Sequence, residues 1–283
     1  MSKRVAVVTG SNRGIGLGIV RSLSKLFDGD VILTARDEKQ GQAVIKTLEE
    51  EGISPKFHQL DISDHSSIVR LRDFLQKNYE GLDILVNNAG IMLKFDTNLS
   101  FEEKAERTLQ VNYFANLDCC EVLFPILRPH ARVCNISSMA ANWAIKKCSP
   151  KLVAKLTNPD ITIEELSGLM NQYIVSVKDG KYEEAGFPDD MYAFSKIGLT
   201  VMSYIHQREL DRRGADDIIV NACTPGYVST DMTQHKGTLT IEEGIVTPLY
   251  CALLPPNIQS PRGQMIRDKE PVDWVNFVMV PIV

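Results

Sequence analysis

The chain has 283 residues, 31 Lys and Arg against 36 Asp and Glu for a formal charge of −5, and 44% hydrophobic residues. This is ample for a buried core. It is too acidic for a nucleic-acid partner, with no basic stripe interleaved with aromatics, and no apolar run reaches the ~18 residues of a membrane span. The N-terminus enters a strand almost at once without a secretory pattern, so a cytoplasmic location is expected. The six cysteines (119, 120, 134, 148, 223 and 251) include no CxxC pair and no neighbouring His cluster. They read as reduced, small core residues, and no metal site is expected. Cys148, beside Lys146 and Lys147, is the best candidate for an exposed, reactive thiol, although core packing is the favoured reading even there.

In chain order, Val5 to Thr9 is a short β-rich apolar run. It leads into Gly10-Ser11-Asn12-Arg13-Gly14-Ile15-Gly16 and then an amphipathic stretch through Ile19, Val20, Leu23 and Phe27. Strand, glycine turn and helix together suit a pyrophosphate, because glycines let the backbone approach and the helix start offers free N–H groups. The second strand, Asp30 to Ala35, is followed by Arg36. An acid at this place binds the ribose 2′-OH of NAD, whereas an Arg accommodates the 2′-phosphate of NADP. Arg36, with Arg13 as a second cation, therefore favours NADP(H), while the adjacent Asp37 argues the other way. A third strand over Lys56 to Leu60 runs into Asp61 and Ile62. Asp61 either reaches the adenine amino group or caps a helix that begins near Ser66.

Leu82 to Val86 reads as a buried parallel strand ending in Asn87-Asn88-Ala89-Gly90. A long helix is expected over Glu102 to Leu127, carrying Asn112. Arg132 to Ile136 is a fifth strand ending at Ser137-Ser138, and Ile218 to Cys223 is a sixth ending at Thr224-Pro225-Gly226. Residues 263–267 form a short seventh. Ligands of such sheets bind beyond the carboxyl ends of the strands, so Gly10, Arg36, Asn88, Ser138 and Pro225 are expected on one rim.

Tyr192-Ala193-Phe194-Ser195-Lys196 opens a helix, and its Tyr and Lys, four residues apart, share a face. A phenol with a pKa of roughly 10 is a poor proton shuttle at neutral pH. Lowering it by about three units takes roughly 4 kcal/mol, which a nearby ammonium in a dry cleft can supply. Tyr192 then becomes a general acid for a carbonyl oxygen. Taken alone, the Tyr-x3-Lys spacing is common and says little.

With these residues in hand, the chain resembles the short-chain dehydrogenase/reductase family. Thr9-Gly-x3-Gly-Ile-Gly16, Asn87-Asn-Ala-Gly90, Asn112, Ser138, Tyr192-x3-Lys196 and Pro225-Gly226 stand in the family's order. It is most similar to the monomeric NADPH-dependent carbonyl reductases, through Leu33-Thr-Ala-Arg-Asp37, Phe57-His-Gln-Leu-Asp61, Glu164 to Asn171 and Ala252-Leu-Leu-Pro-Pro256. The resemblance implies an α/β, doubly wound Rossmann fold in a single domain, 1–283. It would have about seven mainly parallel strands flanked by helices, and a helical insertion before Tyr192.

The resemblance also implies the site. Ser138 holds the substrate oxygen and Tyr192 is the acid. Lys196 binds the nicotinamide ribose and lowers the Tyr192 pKa, while Asn112 keeps a proton-relay water path in place. Gly10, Asn12, Arg13, Gly14, Ile15, Gly16, Arg36, Asp61, Ile62, Asn88, Ala89, Gly90, Tyr192, Lys196, Pro225, Gly226, Val228 and Thr230 bind NADPH/NADP+. Ser138, Ala140, Trp143, Phe95 and Tyr227 line the substrate pocket, and Tyr227 stands where related reductases often carry Trp. Leu93-Lys94-Phe95 matches a region that contacts glutathione in some relatives, which adds glutathione conjugates to the small carbonyl compounds considered as substrates, although an exposed lysine is the favoured reading of Lys94.

The interval from Ser138 to Tyr192 (192 − 138 = 54 positions) is far longer than in typical members. The inserted stretch, about 144–184, fits a capping box at Thr162 and Glu165 and then carries apolar residues at helical spacing: Ile163, Leu166, Met170, Tyr173, Ile174 and Val177. By resemblance it covers an oligomerisation surface, so a monomer is expected. The function expected is reduction of aldehydes, ketones and quinones. An NADP-dependent dehydrogenase of a prostaglandin or steroid alcohol and a non-catalytic NADP(H) sensor are the alternatives.

Overall fold

The computed structural model describes residues 2–94 and 96–278, so Phe95, expected in the substrate pocket, lies outside the described residues. The first half alternates strand and helix: β1 (Val5–Val8), α1 (Gly14–Leu26), β2 (Asp30–Ala35), α2 (Glu38–Glu50), β3 (Lys56–Gln59), α3 (His65–Tyr79) and β4 (Leu82–Asn87). Then follow α4 (Phe101–Leu109), α5 (Ala115–Leu123), β5 (Leu127–Ile136), α6 (Ala140–Ile145), α7 (Pro150–Leu156), α8 (Ile163–Lys178) and α9 (Met191–Arg212). The described chain ends with β6 (Ile219–Cys223), α10 (Ile241–Gly244), α11 (Val246–Ala252), β7 (Met265–Arg267) and β8 (Glu270–Pro271).

One sheet runs in the order β3-β2-β1-β4-β5-β6-β7-β8. All its pairs are parallel except β7 with β8, a two-residue antiparallel edge that adds an eighth strand to the seven expected. The central strands are buried throughout, which is why β1 and β4 read as unbroken apolar runs. The chain reverses direction across the sheet between β1 and β4. The carboxyl ends of these two strands therefore part around a crevice, the ligand position of doubly wound sheets. One apolar cluster fills the α1, α2 and α11 face, and two more fill the face covered by α3, α5, α9 and the insertion.

The helix expected over Glu102 to Leu127 is shorter and irregular. It runs from Phe101, widens into a π-helical turn over Gln110–Phe114, and leaves the α-helix at Leu123. A 3-10 turn over Phe124–Ile126 follows, and β5 begins at Leu127. Pro125 explains the stop, because it cannot donate the next helical hydrogen bond. Asp61 does not cap α3: its carboxylate accepts from the Ser63 N–H at 2.9 Å, and Asp64 is the cap, accepting from the Ser66 N–H at 3.0 Å.

The insertion forms α7 and α8. Thr162 and Glu165 close the expected capping box, with both reciprocal bonds present. Leu166, Met170, Tyr173, Ile174 and Val177 are buried, with α8 packed on α4 and α9. Gly198 permits this approach: a Cβ there would meet Met170 Sδ and Tyr113 Cδ2 at 2.8 Å. Leu166 is fully buried in the shared cluster. Truncating Leu166→Ala is therefore expected to cost about 2–5 kcal/mol in denaturant unfolding. A cost near zero would show that α8 is a loosely attached decoration.

Candidate active site

The glycine turn after β1 is shaped by close packing against the end of β4. Gly10 has φ +58°, and a Cβ there would sit 3.0 Å from the Ala89 Cβ. At Gly16 a Cβ would meet Asn88 Nδ2 at 2.5 Å and Ser11 Cα at 2.8 Å. Polar bonds hold the two ends together. The Thr9 hydroxyl accepts from the Asn88 and Ala89 N–H groups at 3.0 and 2.9 Å. Asn88 Nδ2 donates to the carbonyls of Thr9 and Gly10 at 2.9 and 3.0 Å. Ser11 and Thr34 tie the turn to β2, with Ser11 Oγ accepting from the Thr34 N–H at 3.0 Å and Thr34 Oγ1 accepting from the Gly10 N–H at 3.2 Å. Ser11 and Thr34 were passed over in the sequence, where a polar residue inside the apolar run of β2 is the available signal.

The start of α1 has no side-chain cap and no acid in its first turn. Its free N–H groups face the rim beside a turn with no room for a side chain at Gly10 or Gly16, so the residues present fit a dinucleotide pyrophosphate. Arg36 is exposed at the end of β2. The neighbouring Asp37 is committed elsewhere: its carboxylate caps α2, accepting from the Gln40 N–H at 2.9 Å. That removes the competing acid from the ribose position and leaves the guanidinium. Arg13 pairs with Asp231 at 3.2 Å across an exposed gap. Thr230 approaches the same turn, lying within 4 Å of where a Cβ on Gly14 would be. Val228 is buried below it, Gly226 takes φ +80°, and Ile62 is buried under the far end of the rim. Asn12 Nδ2 donates to Gln40 Oε1 at 3.4 Å, and Ile15 packs against the α1-side cluster.

Across the crevice, α9 delivers Tyr192 and Lys196. Asp190 caps this helix, accepting from the Ala193 N–H at 2.9 Å. Lys196 is only 5% exposed, and its ammonium donates to the Ile136 carbonyl at 2.7 Å. The Ser137 hydroxyl bonds the Lys196 carbonyl at 3.1 Å and Thr200 Oγ1 at 2.6 Å, so it fastens α9 to the end of β5. Ser138, next along, is hydrogen-bonded to Tyr192. Its hydroxyl also accepts from the Ala140 N–H at 3.1 Å. Asn112 sits in the π-helical turn. Its Oδ1 accepts from the Ile91 N–H at 2.8 Å, and its Nδ2 donates to the Ile91 carbonyl at 2.9 Å and to Ser195 Oγ at 3.1 Å. Ser195 Oγ in turn donates to the Tyr192 carbonyl at 2.7 Å. Asn112 thus links the loop after β4 to the first turn of α9. Ser195 and the second amide, Asn116, which donates to Ala89 O at 3.3 Å, went unnoticed in the sequence.

The electrostatics depart from expectation at Tyr192. Burial pushes its pKa up to about 12, and the Ser138 hydrogen bond works against that. The Lys196 ammonium lies 5.6 Å from the centre of the Tyr192 ring and is bonded to Ile136, not to the phenol oxygen. Burial also draws Lys196 itself down to about 8. Cys148 is not the exposed thiol considered from its lysine neighbours. It is buried, donates to the Ala144 carbonyl at 3.3 Å, and is pushed up to about 12 by burial.

Trp143 and Tyr227 are 56% and 50% exposed, and Ala140, between Ser138 and Trp143 in sequence, is partly buried. Lys94 pairs with Asp190 at 3.7 Å. Two surface hollows, about 380 Å3 between α3 and α5 and about 470 Å3 along the end of α9, border none of Ser138, Tyr192 and Lys196. No described helix is long and apolar enough to cross a membrane.

The profile of the short chain dehydrogenase family matches residues 4–150. The chain belongs to the short-chain dehydrogenase family. It is 50% identical to carbonyl reductase (NADPH) 1 of Homo sapiens over 271 residues, covering 95% of this chain and 98% of that protein. It is 48% identical to carbonyl reductase (NADPH) 3 of Rattus norvegicus over 272 residues, covering 96% and 98%. Among solved structures, salutaridine reductase of Papaver somniferum is 28% identical, with a TM-score of 0.83 over 93% of this chain and 99% of that one.

In this family member the position of Lys196 has a cost. Below about pH 8 the ammonium is charged in both folded and unfolded chains, and the full desolvation penalty applies. Between about 8 and 10.5 the folded chain has lost the proton that the unfolded chain still holds, so the penalty fades as pH rises. The shift corresponds to roughly 3 kcal/mol. Lys196→Met is therefore expected to gain about 3 kcal/mol relative to the natural chain on going from pH 10.5 to pH 7, measured by denaturant unfolding without cofactor. A stability difference that does not change with pH would refute a depressed Lys196.

Proposed function

We propose that this short-chain dehydrogenase is an NADPH-dependent carbonyl reductase acting on aldehydes, ketones and quinones. The observation that carries the reading is the contact of Ser138 with Tyr192 above the buried Lys196, facing an uncapped helix start across one crevice. The relatives at 48–50% identity are themselves named carbonyl reductases using NADPH. NADPH, when bound, supplies the hydride. The chain's own residues do the rest. The Ser138 hydroxyl bonds the substrate oxygen and orients it toward Tyr192. Tyr192 gives its proton to that oxygen as negative charge develops there, and the nearby Lys196 ammonium works against the burial that raises the phenol's pKa. The buried Lys196 ammonium offers N–H donors to a ribose and fixes positive charge below the phenol, and Asn112 holds the loop after β4 against α9.

Arg36, with Asp37 withdrawn into its capping role, selects the 2′-phosphate. The exposed Trp143 and Tyr227 give the pocket mouth flat apolar surfaces that suit aromatic carbonyls and quinones. Glutathione conjugates enter only by displacing Asp190 from Lys94. The chain works as one cytoplasmic catalytic domain, and as a monomer, because α8 already occupies the surface of α4 and α9.

The test follows NADPH and NADH oxidation at several carbonyls, with menadione, an aromatic aldehyde and isatin among them. Tyr192→Phe is expected to lower kcat by about 10²–10⁴ without loss of fold. Arg36→Ala is expected to raise KM for NADPH about 10–100-fold, the range of one charge-assisted bond, and to leave NADH unchanged. Full activity in Tyr192→Phe, or equal use of NADH by the natural chain, overturns the corresponding assignment. Light scattering checks the assembly state: a tetramer mass refutes the monomer.

A further inference from the structure

Cys134, Cys223 and Cys251 come from β5, β6 and α11 and take no part in the chemistry above, yet their Sγ atoms all lie within 4.8 Å of one another. Cys134 and Cys223 Sγ are 3.4 Å apart. All three thiols are buried, in the same apolar cluster as Val8, Val86, Ile136, Ile245 and Ile266. Metal–thiolate bonds of about 2.3 Å place sulfurs bound to one centre about 4 Å apart, so a single thiophilic atom spans the group.

A disulfide does not suit the nearest pair. Cys134 is paired with Asn221, and Cys223 with Ile136, so the two cysteines are offset by two positions on neighbouring parallel strands. At about 3.3 Å per residue and 4.8 Å between strands, their Cα atoms are about 8 Å apart. That is beyond the ~7 Å limit for a disulfide without backbone movement. The register therefore keeps Cys134 and Cys223 from closing on each other.

Charge selects among the candidates for the centre. Three thiolates around a monovalent soft ion leave two net negative charges in an apolar core, and around a divalent ion they leave one. Burying such charge unpaired is costly. Among the described residues the group offers three sulfurs and no fourth ligating side chain, which also disfavours tetrahedral zinc. We propose that Cys134, Cys223 and Cys251 form a three-thiol site for trivalent arsenic, taken up as neutral arsenous acid. Three As–O bonds break and three As–S bonds form. Each thiol proton leaves with a hydroxyl as water, so three waters are released and no electrons are transferred. The product is neutral and three-coordinate, which matches both the donor number and the apolar surroundings.

The test incubates the folded chain with sodium arsenite, and in a parallel arm refolds it from denaturant with arsenite present, since the thiols are closed to solvent. Native mass spectrometry after gel filtration is expected to show one arsenic per chain, with a gain of one arsenic less three hydrogens, together with a raised unfolding midpoint. Cys251→Ala and Cys134→Val are each expected to weaken retention at least tenfold, and to leave any residual adduct as arsenic bound to two sulfurs and one hydroxyl. Cys119→Ala and Cys148→Ala are expected to bind as the natural chain does. No adduct in either arm, retention unchanged in Cys251→Ala and Cys134→Val, or loss in Cys119→Ala overturns the site.

Discussion

A charged ammonium held in the protein interior is the constraint around which the active side of this molecule is arranged. Lys196 is drawn down to about 8 by burial, so the fold gives up roughly 3 kcal/mol at neutral pH to keep it there. The surrounding structure offsets that cost at several points. The Ile136 carbonyl, at the last residue of β5, accepts from the ammonium. Ser137 and Thr200 lock the backbone of α9 to the same strand end. Asn112 and Ser195 hold the first turn of α9 to the loop after β4. A sheet alone does not provide this. It needs the π-helical turn at Gln110–Phe114, which carries the Asn112 amide to where both Ile91 and Ser195 are within reach. Irregular helix at a functional position is a recurring association, and here its consequence is geometric.

The same constraint explains why the phenol does not behave as a Tyr-x3-Lys spacing suggests. On an isolated helix the two side chains share a face and the ammonium is free to approach the oxygen. In the folded chain the ammonium is claimed by a carbonyl one strand away, and burial dominates at Tyr192. Burial leaves the phenol protonated at neutral pH and makes it a weaker acid than a free one. Sequence spacing reports which residues are neighbours. It does not report which third group competes for them.

Much of the fold was legible because its central strands, β1 and β4, are buried on both faces and so appear as unbroken apolar runs, bounded by glycine turns and caps. The insertion helix was equally legible through Thr162, Glu165 and the apolar spacing from Leu166 to Val177. The misreading of 102–127 arose from the apolar residues Val122, Leu123, Phe124, Ile126 and Leu127. They continue the pattern of α5 straight into β5, and only Pro125 marks the break. At Cys148 the favoured reading of core packing holds: its charged sequence neighbours do not decide its environment, and its thiol points in, toward the Ala144 carbonyl. Within the site, the motif residues were visible as residue types. Thr34 and Asn116 were not, because each bonds backbone atoms of a distant segment, nor was Ser195, whose partner Asn112 lies 83 positions away.

The three-thiol cluster marks the limit of reading by spacing. Cys134, Cys223 and Cys251 are far apart in the chain, none belongs to a ligand motif, and each taken singly is an ordinary buried cysteine. What joins them is the register of β5 against β6 and the seating of α11 over both strands. That register also separates the Cys134 and Cys223 backbones too widely for a disulfide, so one topological fact both brings these two thiols together and keeps them from joining. Cys223 lies directly before Thr224-Pro225-Gly226, and its carbonyl accepts from the Ser137 N–H at 2.8 Å. The cluster is therefore built into the same strand ends that position Ser138 and Lys196, on the opposite face of the sheet from α9. A centre fixed there would stiffen the floor of the active site without entering it.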